Sequence, residues 1–231
     1  HFAPLRIQWS PSTRAEVLIA AASEPAPDQE KEKKSITILY DPFGAPSTLT
    51  RDWGFAALVE YGGKRVLFDT GNDATILEHN VKALGVNLAH LDAVVISHRH
   101  GDHTSGLGYV FAVNPRVTVF APQEGAFFRG SLPSGFLARQ PKLPPELQYY
   151  DGKPPARFVS GTPWGDKGNY WIVKETSEIF PGIFVLTTRS DKPGTLEMNE
   201  VSLAVRTPKG LAIVVGCSHP GVERILAEGR K

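Results

Sequence analysis

Four side chains that can bind a metal ion fall within six residues of the chain, immediately after an apolar run. They are His98, His100, Asp102 and His103. Imidazole nitrogen and carboxylate oxygen are ligands that zinc and similar cations take in proteins. Side chains two apart in extended backbone point to the same side, so His98 and His100 could hold one ion together. Gly101 could adopt an unusual backbone angle that turns Asp102 and His103 towards a second ion.

The alternative is that these residues are ordinary surface or core side chains, since a lone histidine seldom marks a metal site. A cluster this dense after a buried strand would require costly desolvation, and its members would repel one another unless a cation organised them. The segment is therefore predicted to form a site for two metal ions.

The elements that must position this segment alternate between strand and helix. The continuous apolar residues Ala93–Ile96 predict a strand buried on both faces, which delivers the metal-binding segment at its carboxyl end. Further strands are predicted at 35–40, 55–61, 65–68, 117–120, 179–180, 183–188, 201–205 and 211–215, and helices at 74–84, 104–113 and from about 222. This order of elements predicts an α/β layered fold.

The four side chains form the pattern His-x-His-x-Asp-His, which resembles the signature of the metallo-β-lactamase-fold hydrolases. Two further segments lie where that superfamily has its other motifs: Val-Leu-Phe-Asp-Thr-Gly at 66–71 and Gly-Cys-Ser-His-Pro-Gly at 216–221. Together with Trp-Gly-Phe at 53–55, these segments are most similar in sequence to the branch named for a dihydropterin phosphate synthase of methanopterin biosynthesis. The resemblance covers about residues 36–231.

The resemblance implies a four-layer αββα sandwich of the metallo-β-lactamase type, and roles for residues outside the dense segment. His219 would join His98 and His100 as the third imidazole of the first metal site, which keeps an open position for water. Asp69 would support the metal-binding loop from behind the ligands, although its local sequence alone indicates a turn-capping aspartate. Cys217 is expected to be a small packed residue rather than a ligand or nucleophile.

The sequence departs from the superfamily pattern after His219. The superfamily normally completes its second site with a bridging carboxylate and a last histidine, but residues 220–231 contain neither His nor Asp. The second site would then have only Asp102 and His103, whereas a catalytic zinc site has about three protein ligands. We expect the second ion to bind weakly or to be absent, and the fold to be truncated, lacking its C-terminal strand and helix.

Composition limits the function only broadly. A chain of 231 residues with 41% hydrophobic residues can bury the core of one domain. The net charge is +1, from 25 basic and 24 acidic residues, so no nucleic-acid-binding surface is expected. No apolar run is long enough to span a bilayer. The single cysteine cannot form an internal disulfide, so the redox compartment stays open.

Three regions are predicted along the chain. Residues 1–34 form a leader or linker with a signal-like apolar run, which leaves both a cytoplasmic and an exported protein open. Residues 35–231 form the metallo-β-lactamase-fold domain, incomplete at its C terminus. Within it, the proline-rich and aromatic-rich segment 121–171 is predicted to be irregular, as a lid over the metal site or as a cover for the sheet.

The function predicted from these residues and from the resemblance is a metal-dependent hydrolase. One or two zinc ions, or Mn²⁺ or Fe²⁺ in their place, would activate a water molecule that Asp102 orients or deprotonates. The expected partner is a small-molecule substrate, namely an ester, a lactone or a phosphate-containing compound. A pterin-phosphate synthase-like enzyme, a β-lactamase and a non-catalytic metal-binding remnant stay open, because a fold does not select a substrate. The oligomeric state is also left open.

Overall fold

The computed structural model describes residues 34–43, 47–123, 168–192 and 198–231. Within these ranges, ten strands form two sheets, accompanied by four α-helices and one turn of 3-10 helix. The strands are β1 Ser35–Tyr40, β2 Ala56–Tyr61, β3 Lys64–Phe68, β4 Ala93–Val95, β5 Thr118–Pro122, β6 Asn169–Val173, β7 Ser177–Phe180, β8 Ile183–Ser190, β9 Met198–Thr207 and β10 Gly210–Val214. The helices are α1 Ala74–Ala83, α2 Gly101–Thr104, α3 Leu107–Val113 and α4 Val222–Glu228, with the 3-10 turn at Leu88–His90.

The two sheets differ in strand direction. The first sheet has six strands in chain order, β1 to β6, of which β1–β2 and β2–β3 are antiparallel pairs and β3 to β6 run parallel. The second sheet has the order β10-β9-β8-β7 and is antiparallel throughout. Parallel neighbours need crossover connections, and α1 and α3 provide them on either side of β4. The carboxyl ends of β3, β4 and β5 therefore lie at one edge of the first sheet.

The core is divided into two layers by the first sheet. On one side, Leu77 of α1 and Leu107 of α3 pack with Val94 and its neighbours. On the other side, Val95 packs between the two sheets. Beyond the second sheet, Ile225 of α4 is buried against β8. The layers run helix, sheet, sheet, helix, so the predicted four-layer arrangement is confirmed, and β4 is buried on both faces as its apolar run predicts.

Two elements differ from the sequence prediction. The helix expected at 104–113 is two helices, α2 and α3, because the chain between them packs on the loop after β3. A Cβ added at Gly106 would lie 2.0 Å from the Thr70 carbonyl oxygen, and Thr70 N–H donates to the His103 carbonyl at 2.8 Å. Strands β5 and β6 also extend into the segment 121–171 that was predicted to be irregular.

Several predictions concern parts of the chain that are not described. The leader over residues 1–33 and the central part of the predicted lid, 124–167, lie outside the described residues. The division of the chain into three regions therefore stays a prediction. In the parts of the chain that are described, we find no helix of the length and apolarity needed to cross a membrane.

Candidate metal centre

The loop that follows β4 carries the first two histidines, and it is held on both sides. Ile96 N–H donates to the Phe120 carbonyl of β5 at 2.8 Å, and the Ser97 carbonyl accepts from Val201 N–H of β9 at 2.8 Å. His98 is fully buried and His100 is 8% exposed. Because the loop is anchored to both sheets, these rings have little freedom to move.

Three imidazoles from two distant loops meet at this edge of the fold. His98 Nε2 lies 3.2 Å from His100 Nδ1 and 3.3 Å from His219 Nε2. Nitrogen ligands of tetrahedral zinc lie about 2.0–2.1 Å from the metal, and hence about 3.3 Å from one another. The observed separations therefore fit a zinc ion. The structure brings these residues together as expected; their role as ligands stays a prediction.

Asp102 and His103 reach the same place through α2. We expected Gly101 to adopt an unusual backbone angle, and this was wrong: it begins α2 and is not among the residues with positive φ. The turn of helix reorients the chain instead. As a result, the His98 and His103 ring centroids are 4.2 Å apart, and Asp102 Oδ2 lies 3.5 Å from His103 Nε2.

Asp69 is fully buried directly behind the histidines, at the end of β3. Its Oδ1 accepts from Ser97 N–H at 2.7 Å. Its Oδ2 accepts from the Ser97 hydroxyl at 2.7 Å and from His103 Nδ1 at 2.6 Å. Asp69 has φ of +57°, a left-handed conformation that aspartate tolerates better than most residues. These contacts hold the loop that carries the histidines, and the role of Asp69 as a support for metal ligands stays a prediction.

The Asp69 carboxylate also determines which ring nitrogens face the centre. A carboxylate only accepts, so the Ser97 hydroxyl must donate to it, and its oxygen is left to accept from His98 Nδ1–H at 2.8 Å. His103 likewise must donate through Nδ1. The Nε2 atoms of His98 and His103 are therefore directed towards the site, which is the arrangement that metal-binding histidines need.

The site environment favours neutral imidazole at three of the histidines. Burial, followed by neighbouring positive charge, lowers the pKa of His98 far below its usual value. The same two causes lower the pKa of His100 and of His219 to about 4. His103 differs: burial, the largest single cause, lowers its pKa, but the Asp69 charge and the hydrogen bonds with Asp102, Asp69 and Cys217 together outweigh burial and raise it. At neutral pH, three imidazoles have lone pairs for a cation, and at His103 a cation would replace a proton.

Glu200 of β9 is a residue that the sequence analysis missed. Its side chain is fully buried and accepts from the backbone N–H groups of Ser218 and His219, each at 2.8 Å. Burial raises the pKa of Glu200 to about 7, although these two N–H groups oppose the shift. Glu200 therefore holds the loop that presents His219. The sequence shows only an acidic residue next to an apolar strand. That pattern does not indicate which loop the Glu200 carboxylate contacts.

A substitution of Glu200 tests this positioning role. Glutamine can accept from one backbone N–H, but its amide nitrogen faces the other donor, so the loop that carries His219 loosens. In Glu200→Gln we expect zinc affinity to fall by about 10–100-fold with the fold retained. Competition with a chromophoric chelator measures the affinity, and circular dichroism checks the fold.

The matched control for this test is Glu178→Gln, because Glu178 also accepts from a backbone N–H, that of Gly182 at 2.6 Å, but in an exposed turn. Its zinc affinity should equal that of the unsubstituted protein. Unchanged zinc affinity in Glu200→Gln would show that the loop keeps its conformation without the carboxylate.

The sequence analysis was also wrong about the surroundings of Cys217. We expected a small packed residue, but its side chain is exposed, and its Sγ lies 3.1 Å from His103 Nε2. The sheet register does not bury this position, because β10 ends at Val214 and the chain has already left the sheet. The sulfur is therefore part of the histidine cluster.

The fold and the cluster define the class of protein, and comparisons with known proteins agree. The sequence profile of the metallo-beta-lactamase superfamily matches residues 49–186, and the chain belongs to this superfamily. One relative, from Methanocaldococcus jannaschii, is the 7,8-dihydropterin-6-methyl-4-(beta-D-ribofuranosyl)-aminobenzene-5'-phosphate synthase. It is 28% identical over 86% of this chain and 72% of its own. This relative is consistent with the branch that the motifs suggested.

Other similarities are shorter or weaker. The lactamase-like protein adaB of Aspergillus niger is 31% identical over 38% of this chain and 28% of its own length. A quorum-quenching N-acyl homoserine lactone lactonase is similar in structure, with a TM-score of 0.43 and 17% identity over 76% of this chain and 71% of its own. The Rm3 metallo-beta-lactamase has a TM-score of 0.48 and 14% identity over 88% of this chain and 74% of its own.

Proposed function

We propose that this protein is a metal-dependent hydrolase that acts on a small ester, lactone or phosphate-containing compound. The observation that carries the proposal is the meeting of His98, His100 and His219, whose nitrogens have the spacing of zinc ligands. Three protein ligands leave one position of a tetrahedral ion for water, which is typical of catalytic rather than structural zinc sites.

The chemistry divides between the ion and the protein. Zinc in such a site lowers the pKa of its bound water to about 7 and polarises a carbonyl or phosphoryl oxygen. His98, His100 and His219 would hold the ion, and Asp69 would keep the rings of His98 and His103 oriented. The loop after β4 is anchored to both sheets and would hold the rings of His98 and His100, and Glu200 would hold the loop that carries His219.

Asp102 would orient the water and take its proton. Burial raises the pKa of Asp102, but the hydrogen bond and charge of His103 outweigh burial and lower it. The carboxylate is therefore ionised at neutral pH and able to accept a proton. Its side chain is 19% exposed, so it lies within reach of both solvent and substrate.

The charges around the site support a substrate with a negative group. Burial is the largest cause of the low pKa of His219, and the positive charges of His103, Lys192 and Arg99 add to it. Lys192 and Arg99 lie on two different segments and bring positive charge to the same centre. A carboxylate or phosphate on the substrate would be attracted to them.

A second candidate function is a pterin-phosphate synthase-like reaction. It is supported by the similarity to the Methanocaldococcus jannaschii synthase over 86% of this chain. A β-lactamase is a further alternative within the hydrolase class. A last alternative, which is not an enzyme, is a metal-binding remnant that catalyses no reaction.

A panel of hydrolysis assays separates these functions. The protein, loaded with zinc or with manganese, is offered a carboxylic ester, an acyl homoserine lactone, a phosphodiester and nitrocefin, with EDTA-treated protein as control. We expect metal-dependent turnover of an ester, lactone or phosphodiester. Turnover of nitrocefin alone would favour a β-lactamase. Tight metal binding without turnover of any of them would contradict the hydrolase and favour the synthase-like enzyme or the remnant.

A further inference from the structure

An exposed tryptophan lies next to the metal centre, and the proposed reaction gives it no role. Trp53 is 66% exposed, in the segment that leads into β2. The residue after it, Gly54, packs so closely on α2 that an added Cβ would collide with the carbonyl oxygen of Asp102. Phe55 N–H donates to the same carbonyl at 3.3 Å. The backbone of Trp53 is therefore one residue away from direct contact with the helix that carries Asp102 and His103.

The chain on the N-terminal side of Trp53 is held by side chains of the fold. The Asn80 amide of α1 donates to the Thr50 carbonyl at 2.9 Å and accepts from Thr50 N–H at 2.8 Å. The Asp52 carboxylate accepts a hydrogen bond from the hydroxyl of Tyr40, a buried residue of β1. Trp53 follows directly after this contact. Its backbone is therefore fixed before any ligand arrives, which reduces the entropy lost on binding.

The chain on the C-terminal side of Trp53 is held as well. The Phe55 carbonyl accepts from Gly71 N–H at 2.9 Å. The Phe55 ring packs edge-on against that of Phe68 in β3, with the centroids 6.2 Å apart. Gly54 has φ of +130°, which glycine adopts readily and other residues rarely do. Trp53 is thus an exposed residue between two fixed stretches of chain.

A single exposed aromatic residue is ordinary by itself. Trp171 offers a comparison, because it is 65% exposed and lies on β6, the last strand of the first sheet. Its ring contacts that of Phe120 in β5, with the centroids 6.4 Å apart. Trp53 differs in its position, because the residue that follows it packs on the Asp102 carbonyl. A large flat apolar side chain is therefore open to solvent beside the metal centre.

We propose that Trp53 recognises the substrate by stacking its indole on a flat aromatic or heteroaromatic ring of the molecule that the metal centre hydrolyses. The inference rests on the proposed function and names a part of its substrate. Paired aromatic rings gain free energy beyond that of the apolar area they bury, whereas a saturated ring of the same size does not. Ligand-contacting residues are also frequent on loops that a rigid scaffold holds in place.

Binding of an unreactive probe tests the proposal without any turnover. The probe is 2-naphthoate, whose carboxylate suits the positive charges of Lys192 and Arg99 near His219. Its matched control is decahydro-2-naphthoate, which has the same carbon skeleton without flat rings. We expect zinc-loaded protein to bind 2-naphthoate more tightly than the saturated acid. Trp53→Ala should weaken the binding of 2-naphthoate by about 3–10-fold more than that of the saturated acid. Isothermal titration calorimetry measures both affinities.

Two further variants make the binding test specific. Trp53→Phe keeps a flat ring and should keep most of the affinity for 2-naphthoate. Trp171→Ala removes an indole of equal exposure and should bind 2-naphthoate as the unsubstituted protein does. Circular dichroism checks that each variant is folded, which we expect because both indoles are exposed. Equal binding of the two acids by the unsubstituted protein, or equal losses in Trp53→Ala and Trp171→Ala, would overturn the proposal.

A kinetic comparison extends the test to the reaction. The substrates are methyl 2-naphthoate and methyl decahydro-2-naphthoate. Trp53→Ala should raise the KM of the flat ester and change its kcat little, because a stacking contact is made equally in the bound substrate and in the transition state. A fall in kcat at unchanged KM would show that Trp53 acts on the chemical step and would overturn the recognition role.

The two proposals can fail separately in these experiments. Binding of 2-naphthoate that depends on Trp53, in a protein that hydrolyses nothing, would contradict the hydrolase and leave the stacking role standing. Turnover of both esters with KM values that Trp53→Ala does not change would do the reverse.

Discussion

Replacement of His219 by alanine should abolish the tightly bound ion of the first site and, with it, hydrolytic turnover. The substitution removes one of three ligands, and zinc at a catalytic site needs about three from the protein. Mutation of groups that only support metal ligands lowers metal affinity by about 10–100-fold. We therefore expect loss of a ligand itself to lower zinc affinity by more than about 100-fold. His219 is only partly buried, so the fold should survive. Metal content after gel filtration and zinc titration measure the effect.

The same result is expected for His98→Ala, whose ring is fully buried at the centre of the cluster. The matched control is His79→Ala, because His79 lies on α1, is exposed, and contacts only the Thr48 carbonyl through Nε2 at 3.0 Å among its described hydrogen bonds. The control should keep full metal content and turnover. Full zinc stoichiometry in either His219→Ala or His98→Ala would refute the assignment of the first site.

Replacement of Asp69 by alanine should cause the largest loss of stability among the site variants. It leaves three buried donors without their acceptor: Ser97 N–H, the Ser97 hydroxyl and His103 Nδ1–H. Breaking a buried charged pair by removing one partner costs about 3–5 kcal/mol in the free energy of unfolding. Alanine also tolerates the positive φ less well than aspartate. Urea unfolding of EDTA-treated protein measures the loss without any contribution from metal.

Two further variants make the Asp69 test specific. Asp69→Asn keeps the shape of the side chain, the tolerance of positive φ and one accepting oxygen. Its free energy of unfolding should therefore fall less than that of Asp69→Ala. Asp191→Ala is the control, because Asp191 is an exposed aspartate paired with Arg224 and should change stability little. If Asp69→Ala unfolds at the same urea concentration as the unsubstituted protein, Asp69 acts only as a turn cap, which its local sequence alone also indicated.

The sequence predicted well those features that depend on one short stretch of chain. The apolar residues of β4 indicated a strand buried on both faces, since continuous apolarity leaves neither face for solvent. His98, His100, Asp102 and His103 were found because a single loop and one helical turn carry them all. Even there, the helical turn α2 was missed. An unusual backbone angle at Gly101 and a turn of helix would both direct Asp102 and His103 towards the site, so the sequence did not distinguish them.

The meeting of distant loops was decided by the tertiary structure. His219 is 121 residues from His98, and the resemblance to a known family, not the pattern of residues, indicated that the two would meet. The contact of Glu200 with the His219 loop, and that of Cys217 with His103, had no signal that the sequence could supply. Such contacts depend on how β9 and β10 pair and on how the two sheets pack. Periodicity along one strand tells which face a side chain occupies, but not which loop from the other sheet lies opposite it.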